Sequence, residues 1–395
     1  MAILAVNAGS SSLKFSLHNL QDGVVLPSLL TGNIEGLEPE GSPVMRWTTT
    51  TGSHTQQLNK TNNDAFQVAL ESLRDLLKSL PDFPALRAVA HRVVHGGADF
   101  SDSVCVTDQI LKQLEKLNSL APLHQPHNIA GIRAFIQAFP TVPQVACFDT
   151  AFHTTAPLLN QTFALPAKLR QEGVRRYGFH GLSYQYIMSV LEEHSKHAHY
   201  RVLMAHLGNG ASLCAARAGK SLASTMGFSA LDGLMMGTRA GTLDPGVVLY
   251  LLEQGWNHDQ LQTLLYKQSG LLGVSGISAD MRKLRADTNQ TAQEAIALFT
   301  HRVVRESGAM VACMEGLDVL AFSGGIGEHD AVLRRQVCEK LHWLGVALDE
   351  EKNQRATGNE IMPVHAPQSK VEIWVIPTDE GRVAAREAAA LLNKK

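Results

Sequence analysis

Short apolar runs alternate along this chain with segments of helical periodicity. Runs such as AILAVNAGSSS, LRAVAHRVVHGG and EIWVIPTDEG stop at Gly, Asp, Asn or His, which is typical of buried strands. Apolar residues recur at helical spacing over residues 64–79, 291–314 and 382–392, which predicts helices there. The alternation indicates an α/β fold, in which ligands gather where strands end.

Length, charge and cysteine content narrow the class of protein. The 395 residues are more than one ordinary core holds, so two domains are expected. A net charge of −2 gives no broad positive field, so nucleic acid is not an expected partner. The 5 cysteines form no paired framework, the N-terminus carries no basic leader, and no apolar run is long enough to span a membrane. We therefore expect a cytoplasmic protein with no membrane partner.

A strand–turn–strand pattern occurs twice in the sequence. Residues 4–13 align with residues 204–213, and each stretch is apolar, turns at glycine and becomes apolar again. A duplication of two halves would explain this internal similarity. Chance is the alternative, because such apolar and glycine-containing strings recur in α/β chains. Residues 41–53 and 155–169 contain proline and are predicted to be linkers or excursions.

Three familiar motifs fail on inspection. Residues 219–221 end like a P-loop, but Cys214 stands where the motif needs its first glycine. The GGIGEHD segment has Asp330 where a dinucleotide fingerprint needs its third glycine. His91 and His95 are spaced like zinc ligands on a helix, but the motif's glutamate is missing and the valines between them favour a strand.

Glycine-rich turns follow three of the apolar runs, at residues 7–10, 208–210 and 324–327. Glycine lets backbone N–H groups approach an anion closely, so several such turns suggest a polyphosphate ligand. Each turn taken alone is also explained as a tight structural turn.

Four polar side chains stand out in apolar or glycine-rich surroundings. Arg239 in GLMMGTRAG has no acidic neighbour in sequence, so it is either an exposed loop residue or an anion ligand. His180 in RRYGFHG and His124 in APLHQP are either catalytic groups or satisfied core histidines. Asp149 ends the run VACFD and is either catalytic or a helix N-cap.

Taken together, the motifs resemble those of the acetate kinases, in the acetokinase group of the sugar kinase, Hsp70 and actin superfamily. The resemblance extends over almost the whole chain and is carried by VNAGSSSLKF, HRVVHGG, APLHQP, FDTAFH, RRYGFHG, AHLGNGAS, GLMMGTRAGTLDP, GGIGEH and IPTDE. It implies that ATP and acetate give ADP and acetyl phosphate, with Mg²⁺ as the cofactor and Mn²⁺ as the alternative cation. It also implies two RNase H-like domains facing a catalytic cleft, and a homodimer.

The resemblance implies a domain division and a set of site residues. Residues 1–150 with 381–395 would form the acyl-substrate and magnesium domain, and residues 151–380 the nucleotide-binding domain. Magnesium would lie at Asn7 and Glu380. Catalysis would involve Asp149, His180, Arg239, Arg92, His124 and Asn209. Arg92, Val94, Leu123 and Phe179 would bind the acid. The nucleotide would be bound by Lys14, His206, Leu207, Gly208, Asn209, Gly210, Asp280, Met281, Arg282, Gly325, Ile326, Gly327, Glu328 and His329.

The role of Asp149 is open to a second interpretation. This family's aspartate is commonly described as a base, but a carboxylic acid with a pKa of about 4 to 5 is already ionised at neutral pH. We therefore expect Asp149 mainly to orient magnesium-bound water and Arg92.

The sequence departs from the family pattern at three positions of interest. Ala230 replaces a proline, which loosens the acid pocket; His329 replaces an asparagine in the nucleotide loop; and Gly381 replaces a second glutamate after Glu380. A propionate or short-chain acyl kinase is thus the leading alternative. An actin-like or Hsp70-like nucleotide-switched binding protein is the alternative from another class.

Overall fold

The computed structural model describes residues 1–38, 40–59, 64–80 and 83–393. The chain divides into two units, Met1–Ala151 with Asp379–Lys395, and Phe152–Thr378. The sequence predicts that the chain returns to the first unit at residue 381, whereas in the structure it returns at Asp379. Glu380 therefore belongs to the first unit, because it begins a helix that packs on that unit's sheet.

The first unit is built on one mixed sheet. Its strands are β1 (Ala2–Ala8), β2 (Ser12–Gln21), β3 (Val24–Glu35), β4 (Val44–Thr49), β5 (Gly52–Gln57), β6 (Leu86–Val93), β7 (Val104–Cys105) and β8 (Gln144–Phe148). Its first helices are α1 (Ala65–Ser79), α2 (Asp108–Glu115) and α3 (Gln125–Ala138). The strand order is β5-β4-β3-β2-β1-β6-β8-β7, and β1, β6 and β8 run parallel.

The predicted excursion over residues 41–53 is wrong. This segment forms β4 and the start of β5, at the edge of the sheet. Met45 is buried in the core while Arg46 is exposed, so the segment alternates as a one-sided strand does. Pro43 stands just before β4 and Gly52 is the first residue of β5, so neither interrupts the ladder.

The second unit is built on a smaller mixed sheet. Its strands are β9 (Arg201–Leu207), β10 (Ala211–Arg217), β11 (Lys220–Ser224), β12 (Val319–Ser323), β13 (Met362–Pro363) and β14 (Glu372–Val375), in the order β11-β10-β9-β12-β14-β13. Its helices are α4 (Leu158–Gln161), α5 (Ala167–Gln171), α6 (Gly181–His194), α7 (Pro245–Glu253), α8 (His258–Lys267), α9 (Gly270–Ser275), α10 (Met281–Ala286), α11 (Gln290–Met314), α12 (Gly324–His329), α13 (Ala331–Lys340) and α14 (Glu350–Arg355).

The two sheets share one topology. In the first sheet, β1, β2 and β3 are antiparallel neighbours, and β6 and β8 run parallel to β1. In the second sheet, β9, β10 and β11 are antiparallel neighbours, and β12 and β14 run parallel to β9. This arrangement is the RNase H-like one, so the predicted α/β class is confirmed. The repeated sequence pattern falls on the β1–β2 and β9–β10 hairpins, as duplicated halves require.

The predicted helices are present with small shifts at their ends. Helix α1 begins after Asp64, which accepts a hydrogen bond from the Phe66 N–H, and α11 is capped in the same way by Asn289. The chain ends in α15 (Glu380–Asn393), which buries Val383, Ala384 and other small residues against the first sheet. No helix in the described ranges is long and apolar enough to cross a membrane.

Candidate active site

Polar residues gather where three neighbouring parallel strands of the first unit end. Asn7 is the second-last residue of β1, Arg92 the second-last of β6, and Asp149 follows β8 directly. The carboxyl ends of parallel strands meet at one edge of a sheet, so the topology brings these three residues together. Lys14 lies directly across the β1–β2 hairpin from Asn7 and is exposed.

Arg92 is held by two carboxylates. Its Nε and Nη2 donate to the two oxygens of Asp149 at 3.0 and 2.6 Å, and Nε lies 3.5 Å from Oε2 of Glu380. Burial alone would lower the pKa of the Arg92 guanidinium, but the charges of Asp149 and Glu380 reverse this effect and raise the pKa above its usual value. Arg92 is therefore a permanent, rigidly oriented cation at the end of the sheet.

The same edge offers oxygen ligands for a hard cation. Within the described residues no group of three or more His, Cys, Asp or Glu side chains could hold a metal ion by itself. Asn7, Asp149 and Glu380 supply one amide and two carboxylates at the ends of β1 and β8 and the start of α15. Such a partial set suits Mg²⁺, which usually keeps waters and shares phosphate oxygens instead of filling a protein cage.

The residues after β6 are fixed by the first turn of α3. Asn128 accepts from the Val94 N–H at 3.0 Å and donates to the Ala8 carbonyl at 2.8 Å, so it joins the ends of β6 and β1. Val94 is buried, while Leu123 and His124 are half-buried in the segment that leads into α3. The predicted acid-binding residues Arg92, Val94 and Leu123 thus belong to one supported region.

The turn between β9 and β10 in the second unit, residues 208–210, is called the glycine turn below. It follows His206 and Leu207 at the end of β9, and the Gly208 N–H donates to the Gly210 carbonyl at 3.0 Å. Asn209 is exposed at its tip. A Cβ atom at Gly237 would collide with the Asn209 amide oxygen, so a side chain there would displace that of Asn209.

His180 and Arg239 converge on the glycine turn. A Cβ atom at Gly210 would lie 2.8 Å from Nη2 of Arg239 and 3.1 Å from Nε2 of His180. His180 adopts a left-handed backbone (φ 58°) at the start of α6, a conformation that is strained for a residue with a side chain. Arg239 Nη1 donates to the Ala230 carbonyl at 2.7 Å, so backbone oxygen supports the guanidinium that the sequence left without an acidic neighbour.

The segment after β12 forms the short helix α12. Gly324 adopts φ 75°, and a side chain there would lie 2.8 Å from the Leu207 carbonyl, so this helix packs against the end of β9. Gly325 is exposed, and Ile326 is half-buried. Glu328 Oε1 accepts from the N–H groups of Gly324 and Thr378, and burial raises the pKa of Glu328.

The residues predicted to bind the nucleoside, 280–282, form the N-terminus of α10. Asp280 caps α10 by accepting from the Arg282 N–H at 2.9 Å and pairs with the exposed Arg282 side chain at 2.7 Å. The hydrogen bond from Arg282 lowers the pKa of Asp280. Met281 is buried, and Ala279 lies against Gly237 beside Asn209. The α10 start is thus close to the glycine turn.

Known proteins match the chain over nearly its full length. The model of the acetokinase family matches residues 2–386. An acetate kinase of Rhodopseudomonas palustris is 47% identical and the match covers 99% of this chain and 98% of that protein. The chain belongs to the acetokinase family.

Solved structures agree with this assignment. A propionate kinase from Francisella tularensis superposes with a TM-score of 0.90 at 37% identity, covering 98% of each chain. An acetate kinase from Porphyromonas gingivalis superposes with a TM-score of 0.86 at 35% identity, covering 99% of each chain. This acetokinase therefore has the two-domain actin and sugar-kinase fold.

The predicted site residues of this acetokinase divide between the two units. The first unit contains Asn7, Lys14, Arg92, Val94, Leu123, His124, Asp149 and Glu380, and the second contains Phe179, His180, His206, Asn209, Arg239 and the remaining nucleotide residues. Lys14 thus belongs to the first unit, whereas the other predicted nucleotide-binding residues belong to the second.

Sequence reasoning missed residues that support the site. Arg334 is fully buried, and its guanidinium donates to the carbonyls of Gly327 and Glu328 at 2.9 and 2.8 Å and to Asn353 Oδ1 at 2.8 Å. It therefore anchors the end of α12. Asn128 was also missed. It follows His124 by four residues, about one helical turn, and this spacing could have pointed to it.

The three positions that depart from the family pattern make defined local contacts. A Cβ atom at Gly381 would collide with Ser16 Oγ, so a larger residue there would require the Ser16 side chain to move. His329 Nδ1 donates to the Thr357 carbonyl at 2.6 Å, which fixes the ring at the end of α12. Ala230 lends its carbonyl to Arg239.

Proposed function

We propose that this acetokinase is an ATP:acetate phosphotransferase that reversibly forms ADP and acetyl phosphate. The observation that carries the proposal is the convergence of Arg239 and His180 on the glycine turn, in a chain of the acetokinase family. Forked guanidinium donors and an imidazole beside exposed backbone amides suit the charge that spreads over a transferring phosphoryl group.

The first unit is assigned the acid. The Arg92 guanidinium is oriented by Asp149 and Glu380, and its remaining donors match the planar carboxylate of acetate. Acetate is already ionised at neutral pH, so its oxygen can attack without a base. Asp149 therefore acts by positioning: its two oxygens engage Arg92, and that pair supports the orienting role over the role of a base.

The second unit is assigned the nucleotide. The glycine turn and α12 would accept the phosphates, with Asn209 at the tip of the turn and the α10 start near it. Arg239, His180 and, from the first unit, His124 are proposed to donate to the phosphoryl oxygens during transfer. Removing one such donor typically lowers kcat by about 10²-fold or more.

Magnesium, or manganese in its place, is proposed as the cofactor at Asn7 and Glu380, with Asp149 orienting its waters. When bound it neutralises charge on the phosphates and holds them in line. The residues present fit this need because they supply oxygen ligands and leave positions for water and phosphate.

Propionate is the second candidate substrate. A propionate kinase superposes on this chain with a TM-score of 0.90, and alanine replaces the family proline at position 230. The residues proposed to bind the acid are Val94 and Leu123 of the first unit and Phe179 of the second, of which Val94 and Phe179 are buried. One methylene changes discrimination by only about 1–3 kcal/mol, so we expect slower turnover of propionate and not its exclusion.

A hydroxamate assay tests the proposal. The protein is incubated with ATP, Mg²⁺ and acetate, propionate or butyrate, and hydroxylamine traps any acyl phosphate. We expect product in the order acetate, propionate, butyrate, with about 10²-fold less from Arg239→Lys and no change from the exposed Arg217→Lys. ATP binding without acyl hydroxamate from any acid would instead favour a nucleotide-switched binding protein.

The proposed setting is a homodimer in the cytoplasm. Helix α7, PGVVLYLLE, is apolar and none of its residues is buried, with Leu249, Tyr250 and Leu252 each about half or more exposed. An apolar helix left in water supports a contact between two copies of the chain. None of the five cysteines, all of which lie in the described part of the chain, is in a disulfide, which agrees with a reducing compartment.

A further inference from the structure

Two histidine rings of the second unit stack beside the glycine turn. The ring centroids of His180 and His206 are 4.3 Å apart and their planes differ by 29°. A Cβ atom at Gly210 would lie 3.1 Å from Nε2 of His180, and a Cβ atom at Gly208 would lie 4.0 Å from Nε2 of His206. Both rings thus direct Nε2 toward the glycine turn, while each Nδ1 contacts a serine.

The Nδ1 atom of His206 is backed by two hydroxyl groups. Thr378 Oγ1 donates to Ser183 Oγ at 3.0 Å, and Ser183 Oγ lies 2.8 Å from His206 Nδ1. Because Ser183 accepts the proton of Thr378, its own proton is available to donate to Nδ1. In a neutral imidazole, an accepting Nδ1 leaves the ring proton on Nε2.

The Nδ1 atom of His180 is backed in the same way. Ser212 Oγ lies 2.8 Å from His180 Nδ1 and 2.5 Å from Tyr184 Oη, and both Ser212 and Tyr184 are fully buried. Burial raises the pKa of the Tyr184 phenol well above its usual value, so the phenol keeps its proton and has it available to donate to Ser212. The Ser212 proton then goes to His180 Nδ1.

Charge favours neutral rings at this place. A proton added to either ring would put a positive charge next to the Arg239 guanidinium, which contacts the same turn. Two neutral Nε2–H groups add donors toward an anion without that repulsion.

We propose that Ser183, Thr378, Ser212 and Tyr184 are positioning residues that hold His206 and His180 as Nε2–H tautomers. Both rings then donate hydrogen bonds to phosphoryl oxygens at the glycine turn. The identity of that acceptor rests on the proposed function. The tautomers themselves are a property of the protein without substrate.

Nitrogen NMR reads the tautomers directly. The full chain is labelled with ¹⁵N-histidine, long-range proton–nitrogen correlations are recorded near neutral pH, and signals are assigned by their loss in His180→Asn and His206→Asn. We expect a protonated Nε2 and an unprotonated Nδ1 for both residues. A protonated Nδ1 on either ring overturns the proposal for that ring.

Kinetics separate positioning from a general structural role. Ser212→Ala and Ser183→Ala should lower kcat about 10–100-fold with KM for ATP and acetate near the wild-type values, and each variant should give an averaged tautomer signal. Ser212→Thr and Ser183→Thr retain a hydroxyl and should restore both readouts. Ser224→Ala is the matched control, because Ser224, like Ser212, is a buried serine of the second unit's sheet and its Oγ has no hydrogen-bond partner within the described residues.

The outcomes distinguish this inference from the proposed function. Wild-type protein that makes no acyl phosphate, yet shows both Nε2–H tautomers, rejects the proposed reaction and keeps the positioning roles. Active protein in which Ser212→Ala and Ser183→Ala behave like Ser224→Ala rejects the positioning roles alone. Where an alanine variant does not fold, Tyr184→Phe and Thr378→Val remove the first donor of each relay and should lower kcat in the same direction.

Discussion

Asp149 engages both nitrogens of one face of Arg92 while being almost fully buried itself, with 1% of its side chain exposed. A carboxylate in that position has its oxygens committed to a guanidinium. Asp149 is therefore better placed to orient Arg92 and bound water than to act as a base. The substrate acetate is already ionised and has no acidic proton to remove.

Asp149→Asn should lower kcat/KM for acetate by about 10²-fold, with much of the loss in the KM for acetate and in the Mg²⁺ concentration needed. The amide can neither neutralise Arg92 nor accept from both of its nitrogens. Steady-state kinetics at varied acetate and Mg²⁺ measure this. Asp318→Asn is the matched control, because Asp318 forms a comparable pair with Arg201 at 2.7 Å on a different strand. Lost turnover with unchanged acetate KM and Mg²⁺ dependence would identify Asp149 as a base instead.

Helix α15 carries Glu380 and approaches the sheet through small residues. Gly381 follows Glu380 and lies against Ser16 on β2, whose Oγ is 2.9 Å from His18 Nε2. The contact fixes the first turn of α15 and thus the position of Glu380 relative to Arg92.

Gly381→Ala should destabilise the protein by about 1–3 kcal/mol, because the new methyl group meets Ser16 Oγ. In a Ser16→Ala background the same change should be neutral or stabilising, since alanine is the better helix former. A double-mutant cycle by urea unfolding measures the coupling. Additive effects would show that the packing at α15 is looser than the structure indicates.

Strand β6 contains a buried titratable group. His91 lies in the core with Nε2 2.7 Å from Gln144 Oε1, and burial lowers its pKa to about 4. The native state therefore favours the neutral ring, while the unfolded chain binds a proton below its ordinary pKa of about 6.5.

The free energy of unfolding should consequently fall as the pH drops from about 6.5 to about 4, by about 3 kcal/mol in total from this residue. Above about pH 6.5 the contribution is fully present. His91→Gln should flatten this slope even where it lowers stability at neutral pH, and the exposed His54→Gln should not. Urea unfolding at several pH values measures the slopes, and equal slopes for wild type and His91→Gln would contradict the account.

At the scale of the whole molecule, the sequence predicted the strands and the residues that end them. Asn7, Arg92 and Asp149 could be anticipated at one sheet edge because apolar runs that stop at polar residues mark buried parallel strands. The edge strands β4 and β5 were not predicted, since one-sided strands carry a weaker pattern than buried ones.

The hydroxyl contacts that support the histidines could not be predicted from local sequence pattern. Ser212 is 32 positions from His180, and Thr378 is 195 positions from Ser183. Serine and threonine are common residues with no fixed spacing to the groups they support. Only the pairing of β9 with β10 and β12, and the packing of α6, brings these hydroxyls to the histidines.

Association of two copies should depend on α7. Leu249→Glu together with Tyr250→Glu places charge on its exposed apolar residues and should convert a dimer to a monomer. Light scattering after size exclusion measures the mass, and Val24→Glu, which alters an exposed residue of β3, is the control. A variant that remains dimeric would place the contact elsewhere.

In the proposed reaction an acetate oxygen attacks the terminal phosphoryl group of ATP. Phosphorus NMR of the wild-type protein with ATP, Mg²⁺ and acetate labelled with ¹⁸O follows both products at once. We predict ADP and acetyl phosphate in equal amounts, with ¹⁸O as the oxygen that bridges the carbonyl carbon and phosphorus. ATP consumption that yields inorganic phosphate without label, at a rate independent of acetate, would contradict the account.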